Sequence, residues 1–143
     1  MHEVRPRPLA EKITGNGSLL ANEAVDLRSE VEGRVVMIAF DEGRRVKAGD
    51  VLVKINDSEL QAQLRQTLAR VELARTQEQR QRQLIETGGT SREMFDTAIN
   101  EVRVLVAEAD LIRAQLVKTE IRAPFVGIIG LALISVGSYL TTT

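Results

Sequence analysis

Residues 56–118 contain no proline, and their only glycines are the adjacent pair Gly88-Gly89. Proline breaks a helix by removing an N–H and clashing with the preceding turn, and glycine weakens one through its conformational freedom. A stretch this free of both is suited to helix, and a glycine pair near its middle divides it into two. Asp57 or Ser58 is positioned as the first N-cap, its side-chain oxygen accepting an orphan N–H of the opening turn. The first helix should run to about Thr87, where Gly88-Gly89 can turn left-handed without steric cost. Thr90-Ser91-Arg92-Glu93 has capping-box form, Thr90 with Glu93, and opens the second helix.

The second helix carries the clearer periodicity: Phe95, Ala98, Val102, Leu105, Ala109, Ile112 and Leu116 alternate three and four residues apart, as in a coiled-coil seam. In the first helix Leu60, Leu64, Thr67, Val71 and Ala74 keep this spacing before the chain turns polar through Gln77 to Gln83, ahead of Leu84-Ile85. A short turn between two such helices makes them antiparallel, and about thirty residues each gives a projection of roughly 45 Å. So long a two-helix hairpin has little core, and its polar distal half is marginal alone. That predicts partners along its sides or at its tip.

Both flanks of this insert read as β. Residues 25–55 hold short apolar runs punctuated by Asp41-Glu42-Gly43-Arg44 and Ala48-Gly49-Asp50, and β texture resumes at Thr119-Glu120-Ile121. The flanks also repeat one another at an offset of 94 residues: Glu32-Gly33-Arg34-Val35 matches Val126-Gly127-Ile128-Ile129, and Glu42-Gly43-Arg44-Arg45-Val46 matches Val136-Gly137-Ser138-Tyr139-Leu140. Two such halves can close over one another with pseudo-two-fold symmetry as a small β-sandwich. Gly33 and Gly127 would mark bends or close approaches, and Gly43 and Gly137 turns with positive φ. The fold class expected is α+β, a split β-sandwich with an inserted antiparallel helical hairpin. The division is 1–24 as an extended segment with a possible β-barrel strand at 13–20, 25–56 as the first β half, 57–118 as the hairpin and 119–143 as an incomplete second half. Incomplete, because Thr143 aligns with Gly49 and the counterparts of 50–56 are not in the second copy, which suggests a fragment.

Composition excludes several functions. Lys and Arg total 19 against 20 Asp and Glu, a net charge of −1 that makes no case for nucleic acid or an anionic membrane surface as the main partner. With one histidine, His2, and no cysteine, neither a Cys/His metal site nor thiol chemistry is expected. Three Phe, one Tyr and no Trp are too few for a base-stacking surface. No serine has a triad partner, the glycine pair follows a helix rather than a strand, and Glu72, Glu78, Glu86, Glu93, Glu101, Glu108 and Asp110 read as solvated helix charge. No catalytic site and no enzyme are expected. Residues 125–136, the longest apolar stretch, are too short for a bilayer and read as buried strand. Met1-His2-Glu3-Val4-Arg5 lacks the apolar core of a signal peptide.

Val31-Glu32-Gly33-Arg34-Val35, followed by Glu42-Gly43-Arg44-Arg45-Val46-Lys47-Ala48-Gly49-Asp50-Val51-Leu52, resembles the first half of a biotinyl/lipoyl domain. With a helical hairpin and then Ile121-Arg122-Ala123-Pro124-Phe125-Val126-Gly127-Ile128-Ile129, the chain is similar to the periplasmic adaptor, or membrane fusion protein, family that includes AcrA, MexA and HlyD. The resemblance covers about residues 10–143. It implies an adaptor of a tripartite efflux pump of the resistance-nodulation-division (RND) class, in the periplasm and associated with the inner membrane in the full-length protein. It also implies a hexamer bridging an inner-membrane transporter to a TolC-like outer-membrane channel. Family members docking on such channels carry an arginine, a leucine and a serine at the spacing of Arg80, Leu84 and Ser91. By that resemblance Arg80 would donate hydrogen bonds to the channel, Leu84 would fill an apolar groove between channel helices and Ser91 would bond near the turn. Plainer roles are open to each: a solvated arginine, the end of the seam, and a helix cap. True carrier domains place their modified lysine on the turn between halves, but Lys54 falls inside a strand, and no cofactor is expected. An ABC-exporter or type I secretion adaptor, a biotinyl/lipoyl carrier and a general coiled-coil protein are the alternatives.

Overall fold

The computed structural model describes residues 23–142; the expected strand at 13–20 lies outside them. The elements run β1 Gly33–Ile38, β2 Arg45–Val46, β3 Val51–Ile55, α1 Ser58–Glu86, α2 Arg92–Lys118, β4 Glu120–Arg122, β5 Gly127–Ile128 and β6 Tyr139–Leu140. Four strands form one sheet in the order β4-β3-β1-β6, and β2 pairs with β5 in a second.

The two flanks of the hairpin are one body, and the sequence repeat is a real two-fold. Gly33 and Arg34 pair with Leu140 and Tyr139; shifted by the repeat offset, Gly127 and Ile128 pair with Val46 and Arg45. The adjoining bonds obey the same symmetry. Val35 N–H donates to Ser138 O at 2.8 Å and Gly137 N–H to Val35 O at 2.8 Å; their images are Ile129 N–H to Arg44 O at 3.1 Å and Gly43 N–H to Ile129 O at 2.8 Å. Each half thus lends its second turn to the other half's first strand. Those turns need glycine: Gly43 has φ +77° and Gly137 φ +93°, a region that β-carbons disfavour. The core joins both segments, with buried Val35, Leu52, Val53 and Ala123 packed against Ile38, Val46, Ile121, Ile129, Ile134 and Leu140.

The hairpin leaves this body between β3 and β4, which are adjacent and antiparallel. Its seam is the one the periodicity marks. Phe95, Leu105, Ala109 and Ile112 are buried on α2, facing Thr67, Val71 and Ala74 on α1. Beyond Ala74 the seam positions of α1 become Glu78, Gln81 and Ile85, all half-buried, so the distal half closes on polar groups. At 29 residues α1 is about 43 Å long.

Three sequence expectations need correction. Asp57 sits at the N-cap of α1 but makes no side-chain cap bond; Asn56 Oδ1 instead accepts from Ser58 N at 3.1 Å, because the Asp57 carboxylate is drawn to Lys54 and Gln61. At α2 the cap is Ser91, whose Oγ accepts from Met94 N at 3.2 Å, while Thr90 Oγ1 is buried without a partner among the described residues. Residues 125–136 are not a buried strand. Only Gly127–Ile128 form a strand, and Leu131 and Leu133 are almost entirely exposed, because among the described residues no strand lies beside them to cover their apolar side chains.

Candidate functional site

Two places hold the candidate residues: the distal end of the hairpin and its root. At the distal end α1 stops in a left-handed turn, with Gly88 at φ +73°. The Leu84 carbonyl gathers the turn, accepting from Gly89 N at 2.8 Å, from Thr87 N at 3.2 Å and from the Thr87 hydroxyl at 3.1 Å. A β-carbon on Gly89 would lie 3.1 Å from Leu84 Cδ2, so the turn glycine lets the Leu84 side chain lie over it. Leu84 remains 42% exposed, since its neighbour Ile85 takes the seam. Four residues earlier, on the same face of the helix, Arg80 is exposed and makes no hydrogen bond or ion pair among the described residues. An unpaired guanidinium and an uncovered leucine side by side form a mixed apolar and hydrogen-bonding patch. Ser91 stands beyond the turn and is exposed, but its oxygen is committed as the α2 cap. Arg80 and Leu84 therefore share a surface by helical geometry, and Ser91 reaches that end of the hairpin as the residue that starts the returning helix.

A feature the sequence pattern does not signal is the clamp around Phe95. The ring, buried in the seam, has the Arg82 guanidinium 5.5 Å and the Arg92 guanidinium 5.9 Å from its centroid. Glu78 pairs with Arg82 and Asp96 with Arg92. This cation–π contact joins the last turns of α1 to the first of α2 across the polar part of the seam. Seam spacing locates Phe95, but nothing in sequence spacing reveals two arginines converging on it from different helices.

At the root Lys54 lies in β3, not on a turn, with its ammonium 3.0 Å from Glu120 Oε1 and 3.3 Å from Asp57 Oδ2. The hydrogen bond with Glu120 raises the Lys54 pKa against the opposing effect of burial. Burial alone would push Asp57 up, but the bonds from Gln61 and Lys54 outweigh it and leave the carboxyl below its usual range. The Lys54 bond, then that of Arg122, lowers Glu120. This amine is charged and engaged with two acids, an arrangement that braces β3, β4 and the start of α1. The two carboxylates stabilise the fold above their ordinary values of 3.8 and 4.5, and that contribution is lost as pH falls through the lower folded values. The raised lysine contributes below its ordinary 10.5 and loses its share as pH rises past that. We expect unfolding free energy to be flat between those limits, and Lys54→Met to flatten part of the acid limb, by about 1 kcal/mol. Urea titrations at pH 3, 7 and 11 check this; an unchanged acid limb in Lys54→Met would contradict it.

Among the described residues no group of acids, histidines or cysteines could hold a metal, and no helix is long and apolar enough to cross a membrane.

The comparisons agree with this geometry. Residues 23–143 match the family model described as RND MFP (membrane fusion protein), barrel-sandwich hybrid domain. The multidrug resistance protein MdtA of Yersinia enterocolitica is 33% identical over 144 residues, spanning 91% of this chain and 32% of its own length; MdtA of Yersinia pestis is 32% identical over the same shares. The chain thus spans about a third of the curated relatives it matches. A MacA–MexA chimera containing the Pseudomonas aeruginosa MexA α-hairpin domain aligns with a TM-score of 0.78 at 24% identity, covering 83% of this chain and 43% of the other. A putative efflux transporter from Bacteroides eggerthii aligns with a TM-score of 0.75 at 24% identity, covering 82% and 36%. These likenesses establish the fold, a lipoyl-like β-sandwich split by a helical hairpin. With the family model matching all of the described residues, this protein belongs to the RND membrane fusion protein family through its barrel-sandwich hybrid domain.

Proposed function

We propose that the chain acts as the periplasmic adaptor of a tripartite efflux pump of the RND type, bridging an inner-membrane transporter to a TolC-like outer-membrane channel. Residues 25–56 and 119–143 serve as its split β-domain and residues 57–118 as the arm that reaches the channel. The observation that carries this reading is exposed Arg80, without an ion pair among the described residues, beside exposed Leu84 at the end of a long two-helix arm. Arg80 offers a forked donor to channel carbonyls or carboxylates, Leu84 enters an apolar groove, and Ser91 fixes the start of α2 while its hydroxyl can also bond near the turn. The work is architectural, and the chain is read as a non-enzyme without a cofactor. Several copies, a hexamer in this reading, would set their arms side by side. Exposed Val104 and Leu111, one above the other on α2, are apolar material for that contact. The match to an RND-type family model favours an RND transporter over an ABC exporter as partner.

The test is site-directed crosslinking in the full-length protein, with a cysteine-reactive photocrosslinker at Gly89→Cys. A crosslink to the outer-membrane channel is expected, falling at least tenfold in Arg80→Ala/Leu84→Ala. Ser91→Ala should cost about 1 kcal/mol of hairpin stability through the lost cap, read by amide exchange at Met94, with a smaller drop in crosslinking. Undiminished crosslinking in the double variant would refute docking through this patch.

A further inference from the structure

Among the described residues, two buried side-chain polar atoms find no hydrogen-bond partner, Gln81 Oε1 and Thr90 Oγ1. Both belong to the distal turns of the hairpin, and both stand where an apolar side chain would hold those turns better. Gln81 occupies a seam position of α1, three residues after Glu78 and four before Ile85. A leucine there would extend the packing of Val71 and Ala74 toward the tip. Thr90 immediately precedes Ser91, the α2 cap, and Phe95 is the fourth residue of that helix. Those are the two positions of a hydrophobic staple. Phe95 supplies one apolar half, and Thr90 sets a hydroxyl where the other belongs.

The proximal seam treats its polar groups differently. Thr67, buried on α1, bonds its hydroxyl to Glu108 at 3.4 Å, and buried Thr119 donates to Leu116 O at 2.6 Å. A buried polar group left without a partner costs stability, and local rules are broken mainly where a chain has work to do. Here both breaks fall beside Arg80 and Leu84. The contacts that close the seam around them can also give way. The Arg82 and Arg92 guanidinium groups lie over the Phe95 ring, with side chains 59% and 80% exposed and single acidic partners, Glu78 and Asp96. Exposed pairs of this kind are weak.

We propose that Gln81 and Thr90 are further docking residues, sheltered in the free hairpin and released when its distal turns open against the channel. Arg80 and Leu84, set in place by the closed tip, make the first contact. The seam between residues 78–86 and 90–98 then parts, with both helices intact. The Gln81 carboxamide and the Thr90 hydroxyl hydrogen-bond to polar groups at the helical end of the channel. The open state is the less stable one alone and gains from the partner the bonds that the closed state lacks. This inference rests on the docking reading and adds to it two residues and a movement.

The test uses Gln81→Leu and Thr90→Val in the full-length protein. Each removes an unpartnered oxygen and adds apolar packing, so without channel each should raise amide-exchange protection through residues 78–98 about fivefold, with protection near Leu105 unchanged. Crosslinking from Gly89→Cys to the channel should nevertheless fall about tenfold in the double variant, although Arg80 and Leu84 are intact. Thr90→Ser, which keeps the hydroxyl, should crosslink like the parent. Opening has its own readout: Ala98→Cys, half-buried in the seam, should react with a maleimide about tenfold faster once purified channel is added, as read by peptide mass. Parent crosslinking with no loss in the double variant would overturn this proposal and leave docking through Arg80 and Leu84 standing. Labelling at position 98 that slows on adding channel would show a tip that docks closed, and reduced protection in the variants would show that the two oxygens are satisfied in the free hairpin. Either result refutes the proposal. Absence of any crosslink in the parent would remove the docking reading and this inference together.

Discussion

Phe95→Ala is expected to cost about 3 kcal/mol, near the lower end for losing a buried phenylalanine, and to concentrate the loss at the far end of the hairpin. Proximal to the ring the seam has Val71, Ala74 and Leu105; distal to it only Ile85 and half-buried polar residues remain on α1. With the ring gone, Arg82 and Arg92 lose the face they share, and half-buried Ile85 is left as the main apolar contact of the last turns of α1 with the first of α2. Amide exchange should rise through residues 78–98 and stay unchanged near Leu105. Phe95→Leu separates the two contributions: it keeps most of the burial and removes the π face, so it should cost less than half as much. Because the same turns present Arg80 and Leu84, channel crosslinking at Gly89 should fall in Phe95→Ala although no proposed contact residue is altered. Uniform destabilisation of both helices would contradict a local clamp.

Ile55→Ala should be the most damaging single change in the β body, about 2–5 kcal/mol. Ile55 is 0% exposed, ends β3 opposite Val35, and sends its Cγ2 into the space where Gly33 has no side chain. Gly33→Ala should cost about 1–3 kcal/mol for the opposite reason, overpacking. The two effects are coupled. Once Ile55 is truncated the methyl added at position 33 has room, so the double variant should be more stable than the sum of the single losses implies, by at least 1 kcal/mol. Urea unfolding of the three variants measures this, and strict additivity would show that the two residues do not meet.

The parts legible in the sequence are those where one residue's chemistry is decisive. Gly43 and Gly137 mark turns whose backbone excludes other residues, so the two-fold can be read from their common spacing. The α2 seam is legible because a run of Val, Leu, Ala and Ile at alternating three and four residues has no other use in a helix of that length. Where neighbouring residues could serve alike, tertiary geometry decides. Thr90 and Ser91 both suit a cap, as do Asp57 and Asn56; Ser91 is the one at the extended N-cap position whose Oγ reaches Met94 N, and Asp57 is engaged by Lys54 and Gln61, which leaves Asn56 to bond Ser58 N. Leu84 and Ile85 are equally apolar, yet only one can face α2, and the phase of the seam gives that place to Ile85. Residues 125–136 misled because apolar composition records a tendency to be covered, and covering needs a neighbouring strand. The Arg82–Phe95–Arg92 contact depends on how the two helices are set in register across the turn, which spacing within either helix does not contain.

The Ile55 N–H donates to Thr119 O at 2.8 Å across the root of the hairpin, and that bond bears on the order in which the molecule assembles. Joining two points 64 residues apart in a flexible chain costs conformational entropy that grows with the logarithm of the loop. Pairing of the intervening residues as helices, each step local, would bring the two ends together. The β body can then form as though its halves were linked by a tight connection, with a low effective contact order. Leu105→Ala, far from any strand, should accordingly slow the appearance of the β body in stopped-flow refolding; a refolding rate equal to that of the parent chain would show that the strands find one another first.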